Sequence, residues 1–123
     1  MADVLAERRR EQELLIGLAR EYVERLCGRL DIEAAVVVGS VARGDFNVWS
    51  DVDVIVIAEG LPQRAPDRLG LLALDAPPRV QPVGFSKDEF EEARRKRNPL
   101  VLEATERGVV LAGETVLAAL AAR

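Results

Sequence analysis

Two short, mostly apolar runs rich in β-branched residues lie close together in this chain, and they constrain its fold more than any other feature. Residues 34–38 (Ala-Ala-Val-Val-Val) end at Gly39-Ser40. Residues 52–58 (Val-Asp-Val-Ile-Val-Ile-Ala) follow directly on Ser50-Asp51. Runs of this length and composition, bounded by turn residues, read as strands buried in the middle of a sheet. A chain that carries them must supply helices to cover that sheet.

The helices are legible by period. Residues 3–30 read as one long amphipathic helix, with Leu15, Leu18, Tyr22, Leu26 and Leu30 at three- and four-residue steps. Leu14, Val23 and Cys27 widen that stripe, and the first turns around Arg8-Arg9-Arg10 are polar enough to fray or project. Gly60, Pro62 and Pro66 mark a loop. Residues 67–74 form a short helix with Leu69, Leu72 and Leu74 inward, closed by Pro77-Pro78. Residues 79–85 read as a third strand, which Pro82 confines to a sheet edge or a bulge. Ser86 and Glu89 make a capping box for the next helix, which ends in Arg94-Arg95-Lys96-Arg97. Asn98-Pro99 start another helix, as N-cap and first residue, and Gly108 stops it. Residues 109–112 read as a short strand or extended link, and residues 114–121 as a final helix. The expected architecture is a single α/β (α+β) domain over residues 1–123, with a small mixed sheet flanked by helices.

Composition narrows the function. Hydrophobic residues make up 49% and charged residues 31% of the chain, as in a globular protein. The formal charge of −4 gives no overall attraction for nucleic acid, which is not expected as a direct partner. Without histidine, Ser-His-Asp triads and histidine metal sites are excluded. The single cysteine, Cys27, rules out an internal disulfide and is read as a small core residue. No apolar run approaches the roughly 18 residues of a membrane span, and the N-terminus has no signal-peptide pattern. A cytoplasmic location and no membrane partner are expected.

The chemistry is concentrated between Gly39 and Asp53. A glycine at a strand end lets backbone N–H groups approach a phosphate, and the Ser40 hydroxyl adds a donor. Ser40 begins a short helical turn, and Gly44 lets the chain reverse toward the second strand. Asp51 and Asp53 are two residues apart. On an extended strand they share a side, roughly 7 Å apart along the backbone. Such a pair can converge on Mg²⁺, which takes a few carboxylate oxygens and completes its shell with phosphates and water. Two ions held there would suit phosphoryl or nucleotidyl transfer. Arg43 suits a phosphate or the acceptor, with a plain surface role as the alternative. Ser50 suits a turn, Asp45 a loop cap. Trp49 is read as packing over the loop, with stacking on an adenine as the alternative. The 94–97 basic run is read as a solvated helix end, with a face for RNA or an acidic partner as the alternative.

As a unit, Gly39-Ser40, Arg43-Gly44 and Ser50-Asp51-Val52-Asp53 resemble the nucleotidyltransferase superfamily of DNA polymerase β type. With the third strand, Ser-x-x-Glu-Phe, Asn-Pro and Gly-Val-Val-Leu that follow, the chain is similar over most of its length to the minimal nucleotidyltransferases paired with HEPN-domain proteins in bacteria and archaea. The resemblance implies Gly39, Ser40, Arg43, Gly44 and Ser50 at the nucleotide phosphates and Asp51 and Asp53 as catalytic ligands of Mg²⁺. It also implies ATP as donor, a hydroxyl acceptor, and a homo- or hetero-oligomer. In such toxin–antitoxin pairs the small transferase is the antitoxin and can adenylylate a tyrosine of its HEPN partner. The family's third carboxylate, on the third strand, aligns with Gln81, which neither accepts a proton nor binds Mg²⁺ as a carboxylate does. Asp75, Asp88 and Glu89 lie nearby in sequence. Two alternatives stand beside a protein adenylyltransferase: a binding-only antitoxin, and a transferase acting on small molecules.

Overall fold

The structure, a computed structural model, describes residues 2–122. Helix α1 (Ala2–Leu26) leads into strand β1 (Asp31–Val38), then a short helix α2 (Gly39–Arg43) and β2 (Val52–Glu59). Helix α3 (Ala65–Ala73) and β3 (Val80–Phe85) follow. Helices α4 (Lys87–Arg95) and α5 (Pro99–Glu106), strand β4 (Val109–Ala112) and helix α6 (Glu114–Ala121) complete the chain. The four strands form one mixed sheet in the order β3-β2-β1-β4. β1 runs antiparallel to both β2 and β4, and β2 runs parallel to β3.

The central strands are covered on both faces, which is why they read as unbroken apolar runs. Ala35, Val37, Val52, Val54 and Val56 face α1, where Leu15, Ala19, Tyr22 and Leu26 meet them. Ala34, Val36, Val38, Ile55 and Ile57 face the other way, onto Phe90 of α4, Val101 and Ala104 of α5, and Leu117 and Leu120 of α6. The period-2 alternation of a strand divides the two sets. β3 is the edge strand that Pro82 requires, since an edge leaves its missing donor uncompensated by any neighbour. The Ser86–Glu89 capping box forms with both of its hydrogen bonds, and the Asn98 carboxamide caps α5.

Several expectations are corrected. α1 ends at Leu26 and the chain turns through Cys27–Arg29, so Cys27 is exposed rather than in the core. Leu14 is 71% exposed and lies off the buried stripe. In α3 only Leu72 is buried, whereas Leu69 and Leu74 face solvent, because this short helix presents a single turn of side chains to the sheet. The start of α1 does not project at Arg8. That guanidinium donates to the carbonyls of Gly44 and Phe46 and lies over the Phe46 ring, 4.6 Å from its centroid. No helix among the described residues is long and apolar enough to cross a membrane.

Candidate functional site

The site lies where β1 ends and β2 begins. Val38 pairs with Asp53 across the antiparallel ladder, so Gly39 starts its turn directly beside that carboxylate. Gly39 has φ +79°, a left-handed backbone that glycine adopts without strain. A Cβ placed there would lie 2.6 Å from Asp53 Oδ2, so the position is closed to any side chain twice over. Gly44, at φ +90°, ends α2 and donates to the Ser40 carbonyl at 2.8 Å, reversing the chain as expected. α1 braces the same turn from outside: Gln12 Nε2 donates to the Val41 carbonyl at 2.8 Å.

A second, tighter turn leads into β2. The Ser50 hydroxyl accepts from Asn47 N at 2.9 Å, and the Asn47 side chain accepts from Trp49 N at 2.8 Å. Arg79 donates to the Ser50 carbonyl at 2.6 Å, which ties this turn to the start of β3. Ser50 is thus the turn former of the site, and Asp45 holds Arg43 Nε at 3.2 Å. At the tip of the turn, Val48 is 76% and Trp49 88% exposed. The expectation that Trp49 packs over the loop is therefore corrected: its ring stands in solvent beside Asp51.

Asp53 belongs to the set of β2 residues that faces α4, α5 and α6, since Val52 and Val54 face α1. Asp51, two residues earlier, is exposed at the mouth of the strand. Burial pushes the Asp53 carboxyl above the usual aspartate range. The charges of Asp51 and Glu103 add to the effect and Arg43 opposes it. No hydrogen bond or salt bridge reaches either aspartate's carboxylate among the described residues. An upward-shifted, unpaired carboxylate beside a second one is a poor structural element and a good cation ligand. Among the described residues no three acidic, histidine or cysteine side chains cluster as a metal cage. Two carboxylates fit Mg²⁺ that brings its own phosphate and water ligands.

Gln81 pairs in register with Asp53 on the neighbouring parallel strand and is exposed. Paired strands lie about 4.8 Å apart, which puts Gln81 next to Asp53 on the same side of the sheet. The nearby acids are engaged elsewhere. Asp75 pairs with Arg29 at 2.9 Å, at the far end of β1, and Glu89 closes its capping box and holds Arg68. Arg95, Lys96 and Arg97 of the basic run are exposed as expected, with Arg95 and Lys96 both paired to Glu92, whereas Arg94 is half-buried.

One site residue escapes sequence reasoning. Glu103, on α5, accepts from Gly39 N at 3.0 Å and from Arg43 Nη1 at 2.7 Å, both through Oε1. The hydrogen bonds of Arg43 to Asp45 and Glu103 raise its pKa further. The available signal is that Glu103 is the only charged residue in the first six of α5, Pro-Leu-Val-Leu-Glu-Ala.

The family model of the nucleotidyltransferase domain matches residues 19–107. That span includes the Gly39 turn, both aspartates, Gln81 and Glu103. The fold is shared with two solved structures. One is the crystal structure of a candidate nucleotidyltransferase from Sulfolobus solfataricus, at TM-score 0.62 and 22% identity over 84% of both chains. The other is a toxin–antitoxin crystal structure with AMP-PNP, at TM-score 0.56 and 19% identity over 84% of this chain and 81% of that one. No curated protein sequence matches the chain. The chain belongs to the nucleotidyltransferase domain family.

Proposed function

We propose that this member of the nucleotidyltransferase family transfers AMP from ATP to a hydroxyl group on a partner protein, as the antitoxin of a pair whose other half is a HEPN-domain protein in the same cytoplasm. The observation that carries the reading is the unpaired Asp51–Asp53 couple under the Gly39-Ser40 turn. Asp51 and Asp53 would hold Mg²⁺, which when bound neutralises charge on the triphosphate. Ser40 and Arg43 supply donors to the phosphates, and the glycine turn sets their distance from the aspartates. The acceptor oxygen bonds to the α-phosphorus, the bond to the bridging oxygen breaks, and pyrophosphate leaves with the electron pair. The hydroxyl proton passes to water, because Gln81 cannot take it. Likeness to a toxin–antitoxin structure supports a protein partner. So do the exposed Val48 and Trp49, since clustered apolar exposure next to a reaction site suits protein contact.

The test is transfer of label from α-labelled ATP to the partner in the presence of Mg²⁺. Transfer is expected with the wild type and a loss of at least about a hundredfold with Asp51→Asn or Asp53→Asn, since each removes a charge that positions the donor. A folded wild type that labels no partner with any nucleotide or divalent metal would sink the reading.

Gln81 favours a second reading, an antitoxin that binds nucleotide and partner without transfer. In that case the Asp51→Asn and Asp53→Asn proteins neutralise the partner as well as the wild type does.

A further inference from the structure

Glu103 carries more than a structural hydrogen bond requires. Its side chain is only 17% exposed, and one oxygen, Oε1, takes both the Gly39 N–H and the Arg43 guanidinium. The Gly39 turn lies directly beside Asp53, since a Cβ on Gly39 would stand 2.6 Å from Asp53 Oδ2. A single atom of α5 therefore sets three parts of the site: the glycine turn, the arginine and, through the turn, the aspartate. A neutral oxygen would satisfy the Gly39 N–H equally well. Instead the fold keeps a third acid on the face that already holds two unpaired aspartates. What the charge adds is a short, charge-assisted hold on Arg43. With Nε on Asp45 and Nη1 on Glu103, Arg43 Nη2 makes no hydrogen bond among the described residues and is left for an anion.

We propose that Glu103 is a positioning residue of the nucleotide site: it fixes the Gly39 turn against Asp53 and aims Arg43 at the phosphates, without touching the reacting atoms. The inference rests on the nucleotide-binding reading above. It assigns the Gly39 N–H to Glu103 and leaves phosphate contact to Ser40 and to Arg43 Nη2.

The experiment is calorimetric titration of Mg·ATP into the wild type and into E103M, E103Q, R43A and the double variant E103M/R43A. E103M keeps the bulk of the side chain and removes both acceptors; E103Q keeps an acceptor oxygen. E103M is expected to weaken Mg·ATP binding about tenfold or more, as loss of charge-assisted hydrogen bonds does. E103Q is expected to weaken it about threefold, because its amide oxygen still accepts from Gly39 N while the charge-assisted hold on Arg43 is lost. E103M/R43A is expected to lose less than the sum of the two single losses, because part of what Glu103 does passes through Arg43. Equal Mg·ATP affinity of E103M and wild type, or a double variant whose losses add, overturns the proposal. If E103M does not fold, E103Q decides alone: weakened Mg·ATP binding supports it, and wild-type affinity overturns it. A wild type that binds no Mg·ATP removes the nucleotide reading itself, an outcome distinct from a wild type that binds and an E103M that is indifferent.

Discussion

The two ends of the site differ in how they are held. The glycine-turn end, from Gly39 to Gly44, proposed to hold the nucleotide, is clamped from three directions. Arg8 and Gln12 of α1 grip its carbonyls, Glu103 of α5 takes its first N–H, and Asp53 fills the space a side chain would need. The other end is the Val48–Trp49 tip with the β3 edge, where Gln81 is exposed on a strand that has a single neighbour. A triphosphate has a fixed shape and rewards a rigid cradle. An acceptor that arrives on a second protein needs an open, partly apolar approach. Under the proposed function, the clamped half would be the donor side and the open half the acceptor side.

The largest expected effect falls at the boundary between the halves. If the site is sound but lacks its base, Gln81→Asp supplies a carboxylate in register with Asp53. General-base catalysis contributes on the order of 10²–10⁴ in rate, so the transfer rate is expected to rise about a hundredfold in single-turnover assays with labelled ATP. A silent Gln81→Asp protein would show that the open half is built for contact and not for chemistry.

Gly39→Ala strikes the clamped half. The alanine must hold a left-handed backbone, at about 1–2 kcal/mol, and push Asp53 Oδ2 aside as well. A stability loss of about 2–3 kcal/mol in urea is expected, with Mg·ATP binding lost even where the protein is fully folded. Gly44 lies in the same backbone region, but a Cβ there would meet only Gln12 Nε2, at 3.6 Å, so it should tolerate alanine better. Equal costs at the two glycines would mean that contact with Asp53 adds nothing.

Trp49→Ser tests the open half. Loss of an exposed aromatic at an interface typically costs about 1–2 kcal/mol, so partner affinity should fall about tenfold while Mg·ATP affinity stays within about twofold. The reverse pattern, with nucleotide binding weakened and partner binding intact, would move Trp49 to the donor side as a stacking surface for the base.

What is legible in the sequence follows the reach of its interactions. β1, β2, the capping box at Ser86 and the Asn98-Pro99 helix start are all readable, because each rests on residues within a few positions of one another. The Gly-Ser turn and the aspartate couple are readable for the same reason. Glu103 is not, since its partners lie 60 and 64 positions earlier in the chain and only the packing of α5 against β1 brings them together. Cys27, Leu14 and Leu69 depart from expectation for a different reason. A periodic pattern gives a stripe but not where the helix stops or how wide a face its neighbours cover. Trp49 departs because the Asn47–Ser50 turn, closed by its own hydrogen bonds, holds the tip away from the core.

The smallest effect separates the two halves of the fold by sign. Glu89 has its carboxyl held below the usual range, first by the Ser86 backbone N–H and then by Arg68. Its contribution is present above the unfolded glutamate pKa and is lost as pH falls through the folded value. Asp53 is shifted the other way, so its ionised form strains the fold; the stability of protonated Asp53 is present at low pH and is lost as pH rises through the folded value. Between about pH 6 and about pH 3.5, acidification should therefore weaken the α4 cap and relax the site. Both effects should be below about 1 kcal/mol, because solvent reaches both groups. Urea midpoints followed over that range resolve them. Glu89→Gln should flatten the acid loss, and Asp53→Asn should be more stable than the wild type at pH 7 while inactive in transfer. An Asp53→Asn protein that is less stable at pH 7 would mean that the carboxylate serves the fold, and that the strain in the donor half lies elsewhere.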